Sequence, residues 1–483
     1  MKAKNRFLRA FGSAMGSRVA TAALNYGLFW ALSRMVSTEA LGGFSLLMNV
    51  FLMIQLLPLL GLTVPLMRRI ATNTGSLPAE VTNAFAFAAP VSLGLALMVG
   101  ASGQLSHGPA LAMAFWLVAA SLLPTAWTIV AEATLLGLER VADVARVNFL
   151  EALLRTTLAI ASIHFGYGLP GVFVVFLGLR VAAALAYAAH PRIPLPRARQ
   201  WQWALQVRNW REMPIFFSIA LVAALVSRLD VITLSYLRSL HDVATYAAAS
   251  RLYDAAQMLP TVMALIVLPT LSRQFVSSRH QFRTTLGLAV RFSLMVGLAL
   301  AMVAAAFAQC LVDLLYRPDM AEAGPVLRWL IFAAVLMLVD VILSSTMLAA
   351  SAQKNDLHAL AVGLLLLAIA LAALAPGFGP EGAAAAVTIG LCARLLMRLR
   401  WAVHTLDLPP PWLPLLRLAI ACGVGVTALH FSSRYGALAA ATAGLLAYVA
   451  TVAISGELGS SPLRALRADI ALLTQRGESN RKT

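Results

Sequence analysis

The chain has 483 residues, 60% hydrophobic and 12% charged, with a formal net charge of +17 and a mean hydropathy of +0.82. Soluble domains carry roughly 45–50% apolar and about 25% charged residues, so composition excludes a soluble globular protein and points to a polytopic membrane protein. The basic surplus would suggest nucleic acid in a soluble chain; here it is explained by cations held on one membrane side, and no nucleic acid partner is expected.

The basic N-terminus, MKAKNRFLRAFG, leads into an apolar segment with no small-residue cleavage site and further spans behind it, so it reads as a retained first helix. A span needs roughly 20 apolar residues. On that rule the chain is all-α with about fourteen transmembrane helices: 14–36, 41–66, 83–101, 110–134, 148–165, 170–189, 213–237, 243–271, 285–309, 325–350, 357–375, 382–403, 413–431 and 435–455. With the N-terminus inside, the segments between spans, together with Arg398 and Arg400 at the cytoplasmic end of the twelfth span, place twenty-four basic residues in the cytoplasm and three, Arg238, Arg317 and Arg434, outside. That asymmetry fits an even number of spans and two cytoplasmic termini.

Between the sixth and seventh spans lies HPRIPLPRARQWQWALQVRNWRE, where Trp201, Trp203 and Trp210 interleave with arginines. This suggests a short helix lying in the headgroup region, or a solvated linker between two halves. A repeat supports two halves: Phe44 precedes Pro58 as Tyr246 precedes Pro260, both matches falling at an offset of 202, and STEALGGF at Ser37 parallels SLHDVATY at Ser239. The organisation that follows is an N-terminal six-helix lobe (1–190), a cytoplasmic interfacial linker (191–212), a C-terminal six-helix lobe (213–405), helices 13 and 14 (406–456) and a cytoplasmic tail (457–483). Copies six helices apart share orientation, so the lobes would be related by a pseudo-twofold along the membrane normal.

Charges inside the spans demand an explanation, because burying them in lipid is costly. Ten arginines and five acids fall there, and the cationic excess favours an anionic cargo such as a diphosphate. Arg34, Arg328, Arg394 and Arg417 sit near helix ends and can snorkel. Glu151 and Arg155, four apart, read as a structural helical ion pair. Arg18 and Asn25 are seven apart and share a face of the first helix. Arg180 stands mid-span, either lining a cavity or paired with Glu132 or Asp340. In the hairpin Arg228–Pro269, a turn near residues 240–241 would put Arg228, Asp230, Arg251 and Asp254 in one layer. They either cancel in two structural ion pairs, Asp230 with Arg251 and Arg228 with Asp254, or serve a cargo. Asp340, mid-span in helix 10, could take a coupling proton or cation, or bond to Ser344 or Ser345. Prolines 58, 65, 90, 124, 260 and 269 interrupt spans as bending points or packing kinks. The three cysteines lie far apart and the eight histidines are scattered, which suggests no disulfide framework, metal site or cofactor.

The stretches LSRMVSTEALGGFSLL, LLGLTVPLMRRIA, LLGLERVADVARVNFLEALLR and SRLDVITLSYLRSLHDVATYAAASRLYDAAQMLPTVMALIVLPTLSRQF resemble the Wzx-type lipid-linked oligosaccharide flippases, in the polysaccharide transporter branch of the MOP exporter superfamily. The resemblance covers most of residues 15–400 and implies two six-helix lobes around a cationic cavity. It further implies carriage of a polyprenyl-diphosphate-linked oligosaccharide, such as an undecaprenyl diphosphate glycan, from the cytoplasmic to the periplasmic leaflet of a bacterial inner membrane by alternating access. A polysaccharide polymerase and glycosyltransferases of the same pathway would be partners. On this reading Arg18, Asn25, Arg180, Arg228 and Arg251 bind the diphosphate, and Asp230, Asp254 and Asp340 act as charge partners or in coupling. Lipid II flippases are similar and also carry two extra C-terminal helices; drug-exporting members share the twelve-helix plan. No G-x-x-x-x-G-K-[ST] loop occurs, so energy would come from an H+ or Na+ gradient, the membrane potential or mass action. A membrane-embedded enzyme would want convergent carboxylates or histidines, and a drug antiporter an acid cluster that the first lobe lacks apart from Glu132 and Glu151.

Overall fold

The computed structural model describes residues 20–59, 61–106, 108–257, 260, 271–275, 277–406 and 412–455, and among these no strand occurs. The helices are α1 (20–35), α2 (Thr38–Ile54), α3 (Thr63–Thr72), α4 (Leu77–Ser106), α5 (Pro109–Gly137), α6 (Val141–His164) and α7 (Gly168–Ala188). There follow α8 (Trp203–Leu237), α9 (Leu240–Ala256), α10 (Arg279–Leu315), α11 (Ala323–Ala349), α12 (Gln353–Leu406), α13 (Trp412–Ser432) and α14 (Ala437–Ile454). Each predicted span meets one of these helices. Nine helices among the described residues are long and apolar enough to cross a membrane. The second half of the eighth span with Pro269, and the 457–483 tail, lie outside the described residues.

Three elements depart from the hydropathy reading. The second span is broken: α2 ends at Ile54, turns carry the chain past Pro58 and Gly61, and α3 starts at Thr63. Gly61 has φ +79°, and a Cβ there would lie 2.2 Å from the Phe216 carbonyl oxygen. Pro90 and Pro124, by contrast, sit inside continuous helices. Of the tryptophan-rich linker only a short 3-10 helix, Ala198–Gln200, stands apart, because α8 starts at Trp203 and runs unbroken through Pro214 into the seventh span. In α12, Gly379 takes φ 55°, ψ −132° between Pro376 and Pro380. Gly363, before this kink, lies against Gly390, after it, so the two halves run antiparallel as the eleventh and twelfth spans.

The chain forms two compact units: Met1–Arg251 with Leu315–Met320 and Leu371–Ala383, and Leu252–Leu314 with Ala321–Ala370 and Ala384–Thr483. In the first, a core under α3, α4 and α5 gathers Leu66, Ile70, Val81, Phe87, Trp127 and Val130, and the Trp127 indole donates to the Ala184 carbonyl at 3.0 Å. The segment 315–320 runs beside the α1–α2 turn: Arg34 donates to the Leu315 carbonyl, Arg317 to the Val36 carbonyl, and the Thr38 hydroxyl to the Asp319 carboxylate. An acid at the start of α2 also suits the positive end of that helix. In the second unit α10, α11, α12, α13 and α14 share a core including Leu286, Val339, Leu343, Leu399 and Tyr448.

The repeat is visible in the local structure. Helices α2 and α9 are each 17 residues long and offset by 202 at both ends. Ser37 Oγ accepts from the Ala40 amide at 3.3 Å, and Ser239 Oγ from the Asp242 amide at 3.2 Å, the same N-terminal cap at the same offset. Phe44 and Tyr246, the matched aromatics, are both buried.

Candidate functional site

The α8–α9 hairpin turns at Arg238 and Ser239, because Ser239 caps α9. The turn is therefore about two residues earlier than expected, and the level partner of Asp230 is Tyr246, whose hydroxyl donates to the carboxylate at 2.5 Å. Arg228 donates to Asn49 Oδ1 on α2 at 3.0 Å, and the Arg251 guanidinium stacks over Phe29 of α1 at 5.4 Å. Asp254 belongs to the second unit and accepts from Gln257 at 3.4 Å. Arg18 lies outside the described residues.

A second group of cations meets at Glu151 of α6. Its carboxylate lies 3.7 Å from Arg155 and 3.4 Å from Arg180 of α7. Arg180 thus contacts Glu151 and not Asp340, while Glu132, within electrostatic reach of Arg180, accepts from the Tyr187 hydroxyl at 3.3 Å. The Arg180 guanidinium stacks over Phe51 and Phe176 at 5.0 and 5.4 Å, while Arg155 donates to Asn25 at 2.5 Å. Arg155 lies within electrostatic reach of both Arg180 and Arg251. The local pair read from the sequence is therefore part of a larger cationic cluster that recruits Asn25. No spacing pointed from Glu151 to α7; that contact depends on how the helices are rotated.

Asp340 occupies a different setting. It is 2% exposed and bridges Arg394 at 2.6 Å and Arg398 at 2.5 Å, and Arg398 continues to Asp356 at 2.8 Å. Ser344 donates to Asp356, not to Asp340. The snorkelling expectation for Arg394 is corrected, since that residue is buried with its charge countered inside the second unit. Sequence did hold a signal: two arginines four apart on one helix repel unless acids face them.

On α3 and α4, Arg69 holds Glu80 at 3.3 Å, Glu212 at 3.0 Å and Asn209 at 2.9 Å, and Arg208 bonds to Glu80 as well. Burial pulls the Arg69 pKa below its ordinary value, opposed by the Glu80 carboxylate. This network ties the start of α8 to the first unit, leaving Trp201, Trp203 and Trp210 exposed beside Arg197, Arg199 and Arg211.

The repeat exposes an asymmetry of charge. At an offset of 202, Arg228, Asp230, Arg251 and Asp254 of the second copy stand where the first has Tyr26, Leu28, Asn49 and Leu52. In a membrane, four charged side chains in one copy of a repeat, with uncharged residues at the matching positions, need an explanation, because burying charge in lipid is costly. Among the described residues, no group of three or more His, Cys, Asp or Glu could hold a metal ion.

A family model described as "Polysaccharide biosynthesis protein" matches residues 7–275. No curated protein matches the chain. Among solved structures, "Lipid II flippase MurJ, inward closed conformation" is 12% identical with a TM-score of 0.70, covering 93% of this chain and 99% of that one. An inward-facing multidrug resistance MATE family transporter of the MOP superfamily is 16% identical with a TM-score of 0.64, covering 80% of this chain and 94% of that one. A MOP superfamily transporter from Pyrococcus furiosus, titled for the reverse polarity of its binding pocket, is 16% identical with a TM-score of 0.57, covering 83% and 95%. These likenesses establish the fold, shared with those flippase and transporter structures, and the match over more than half its length establishes the kinship: the chain belongs to the polysaccharide biosynthesis protein family.

Proposed function

We propose that this protein is a flippase carrying a polyprenyl-diphosphate-linked oligosaccharide from the cytoplasmic to the periplasmic leaflet of a bacterial inner membrane, with both termini cytoplasmic. The observation that carries the reading is the meeting of Arg155 and Arg180 at Glu151 among membrane-spanning helices, in a chain of this family. Guanidinium groups are planar, permanently charged and fork-shaped, so they match a diphosphate bidentately. In this reading Arg18, Asn25, Arg180, Arg228 and Arg251 hold the diphosphate, and Arg155 joins them. Asp230 and Asp254 exchange partners as the protein alternates between its two open states. Asp340, clasped by two arginines, is a charge partner and not the carrier of a coupling proton. Energy enters from an H+ or Na+ gradient or the membrane potential, and no catalytic residue is involved. A polymerase and glycosyltransferases of the same pathway are the expected partners.

The test is a leaflet assay in a strain lacking the protein. Cytoplasmic-side accumulation of polyprenyl-linked glycan, relieved by this chain, is the expected result. Accumulation of lipid II instead would redirect the cargo assignment, and normal leaflet distribution of both would remove it.

A further inference from the structure

The diphosphate reading raises a question about the empty state, when several buried guanidinium groups have no cargo to neutralise them. Glu151 is placed to answer it. Its carboxylate is 9% exposed and reaches toward two arginines at once, one on its own helix and one on α7. Both separations, 3.7 and 3.4 Å, exceed the roughly 2.7–2.9 Å of a charge-assisted hydrogen bond. The Arg180 Nε, although buried, makes no hydrogen bond. Buried arginine Nε atoms without a hydrogen bond occur at Asp340 as well, but the two contacts of Asp340, at 2.6 and 2.5 Å, are shorter than either contact of Glu151. Arg155 and Arg180 are meanwhile held in place independently of Glu151, by Asn25 and by the faces of Phe51 and Phe176.

Resting on the flippase reading, we propose that Glu151 is a surrogate anion: it occupies the Arg155–Arg180 pair when no cargo is bound and is displaced by the cargo's diphosphate. The exchange favours the diphosphate because it brings more charge and more acceptor oxygens to the same two forks. It also favours release, since the returning carboxylate competes with the departing group. Glu151 therefore sets the balance between capture and release without adding to binding.

The experiment measures binding of undecaprenyl diphosphate, with inorganic diphosphate in parallel, to the purified full chain in detergent, together with leaflet transport in cells. Glu151→Gln should bind undecaprenyl diphosphate about three- to tenfold more tightly yet transport more slowly, since removing a competing charge strengthens the guanidinium–phosphate contacts. Glu151→Asp, which keeps the charge and withdraws it by one methylene, should shift affinity the same way by less. Tightening toward inorganic diphosphate as well would locate the effect in the diphosphate group, whereas tightening confined to the lipid would overturn the exchange. Unchanged or weaker binding in Glu151→Gln, with binding lost in Arg155→Gln and Arg180→Gln, overturns the surrogate role and leaves the flippase reading standing. Wild-type affinity in both arginine variants removes the flippase site itself. As a measurement free of variants, undecaprenyl diphosphate should increase labelling of Glu151 in the wild-type chain by dicyclohexylcarbodiimide, because a buried carboxyl released from its arginines takes the neutral, reactive form. Labelling unchanged by the lipid counts against the exchange.

Discussion

A buried arginine in a membrane protein is informative only once its partners are known. Arg228 and Arg394 both interrupt apolar helices, yet Arg228 bonds to a neutral amide whereas Arg394 is neutralised by a carboxylate at 2.6 Å. Two expectations follow. Arg228→Lys should reduce flipping and Arg228→Ala should abolish it with the protein still in the membrane, because a lysine keeps the charge and loses the fork; a leaflet assay alongside an immunoblot checks this. Asp340→Asn should instead lower stability, by about 3–5 kcal/mol, since it leaves two buried arginines facing a neutral amide; thermal unfolding in detergent reads this directly. Which residues carried charge into the membrane was visible in the sequence, because Arg and Asp stand out against Leu and Ala. Which of them were spent on one another was not: Arg155 meets Asn25 and Arg180 meets Glu151 across helices whose rotation no hydropathy pattern reports.

At the level of helices and turns, small residues decide what apolar character leaves open. Spans were legible because roughly 20 consecutive apolar residues have few other fates, and the break read between the eleventh and twelfth spans falls at the α12 kink. The break between α2 and α3 was harder to anticipate, since Pro90 and Pro124 are accommodated inside helices while Pro58 is not. The difference lies at Gly61, which combines a left-handed backbone with contact against Phe216. Gly379→Ala should cost about 1–2 kcal/mol by forcing a side chain into left-handed backbone, seen as a lower melting temperature. Gly42 faces a stricter limit, since a Cβ would lie 1.9 Å from the Leu240 carbonyl oxygen. Gly42→Ala must push α2 away from the start of α9, and faster proteolysis of the α8–α9 turn would report it.

For the molecule as a whole, the count of basic residues in the connecting segments carries the topology. A cysteine-free variant with Ser433→Cys should react with a membrane-impermeant maleimide in intact cells, and one with Ser277→Cys only after lysis. The reverse pattern would invert the chain in the membrane and with it the direction of transport. The local match of α2 with α9 was also legible, from an offset of 202 carried by a few serines, aromatics and prolines, because helix caps and buried rings tolerate few substitutes. What the offset concealed was divergence in polarity: Tyr26, Leu28, Asn49 and Leu52 against Arg228, Asp230, Arg251 and Asp254. If the ancestor was a half-length chain acting as a pair of identical subunits, whatever it carried met the same groups on either side. Fusion freed the α8–α9 arm to become ionic at four positions where α1–α2 stayed uncharged, so a passenger would meet different groups at matching positions of the two copies.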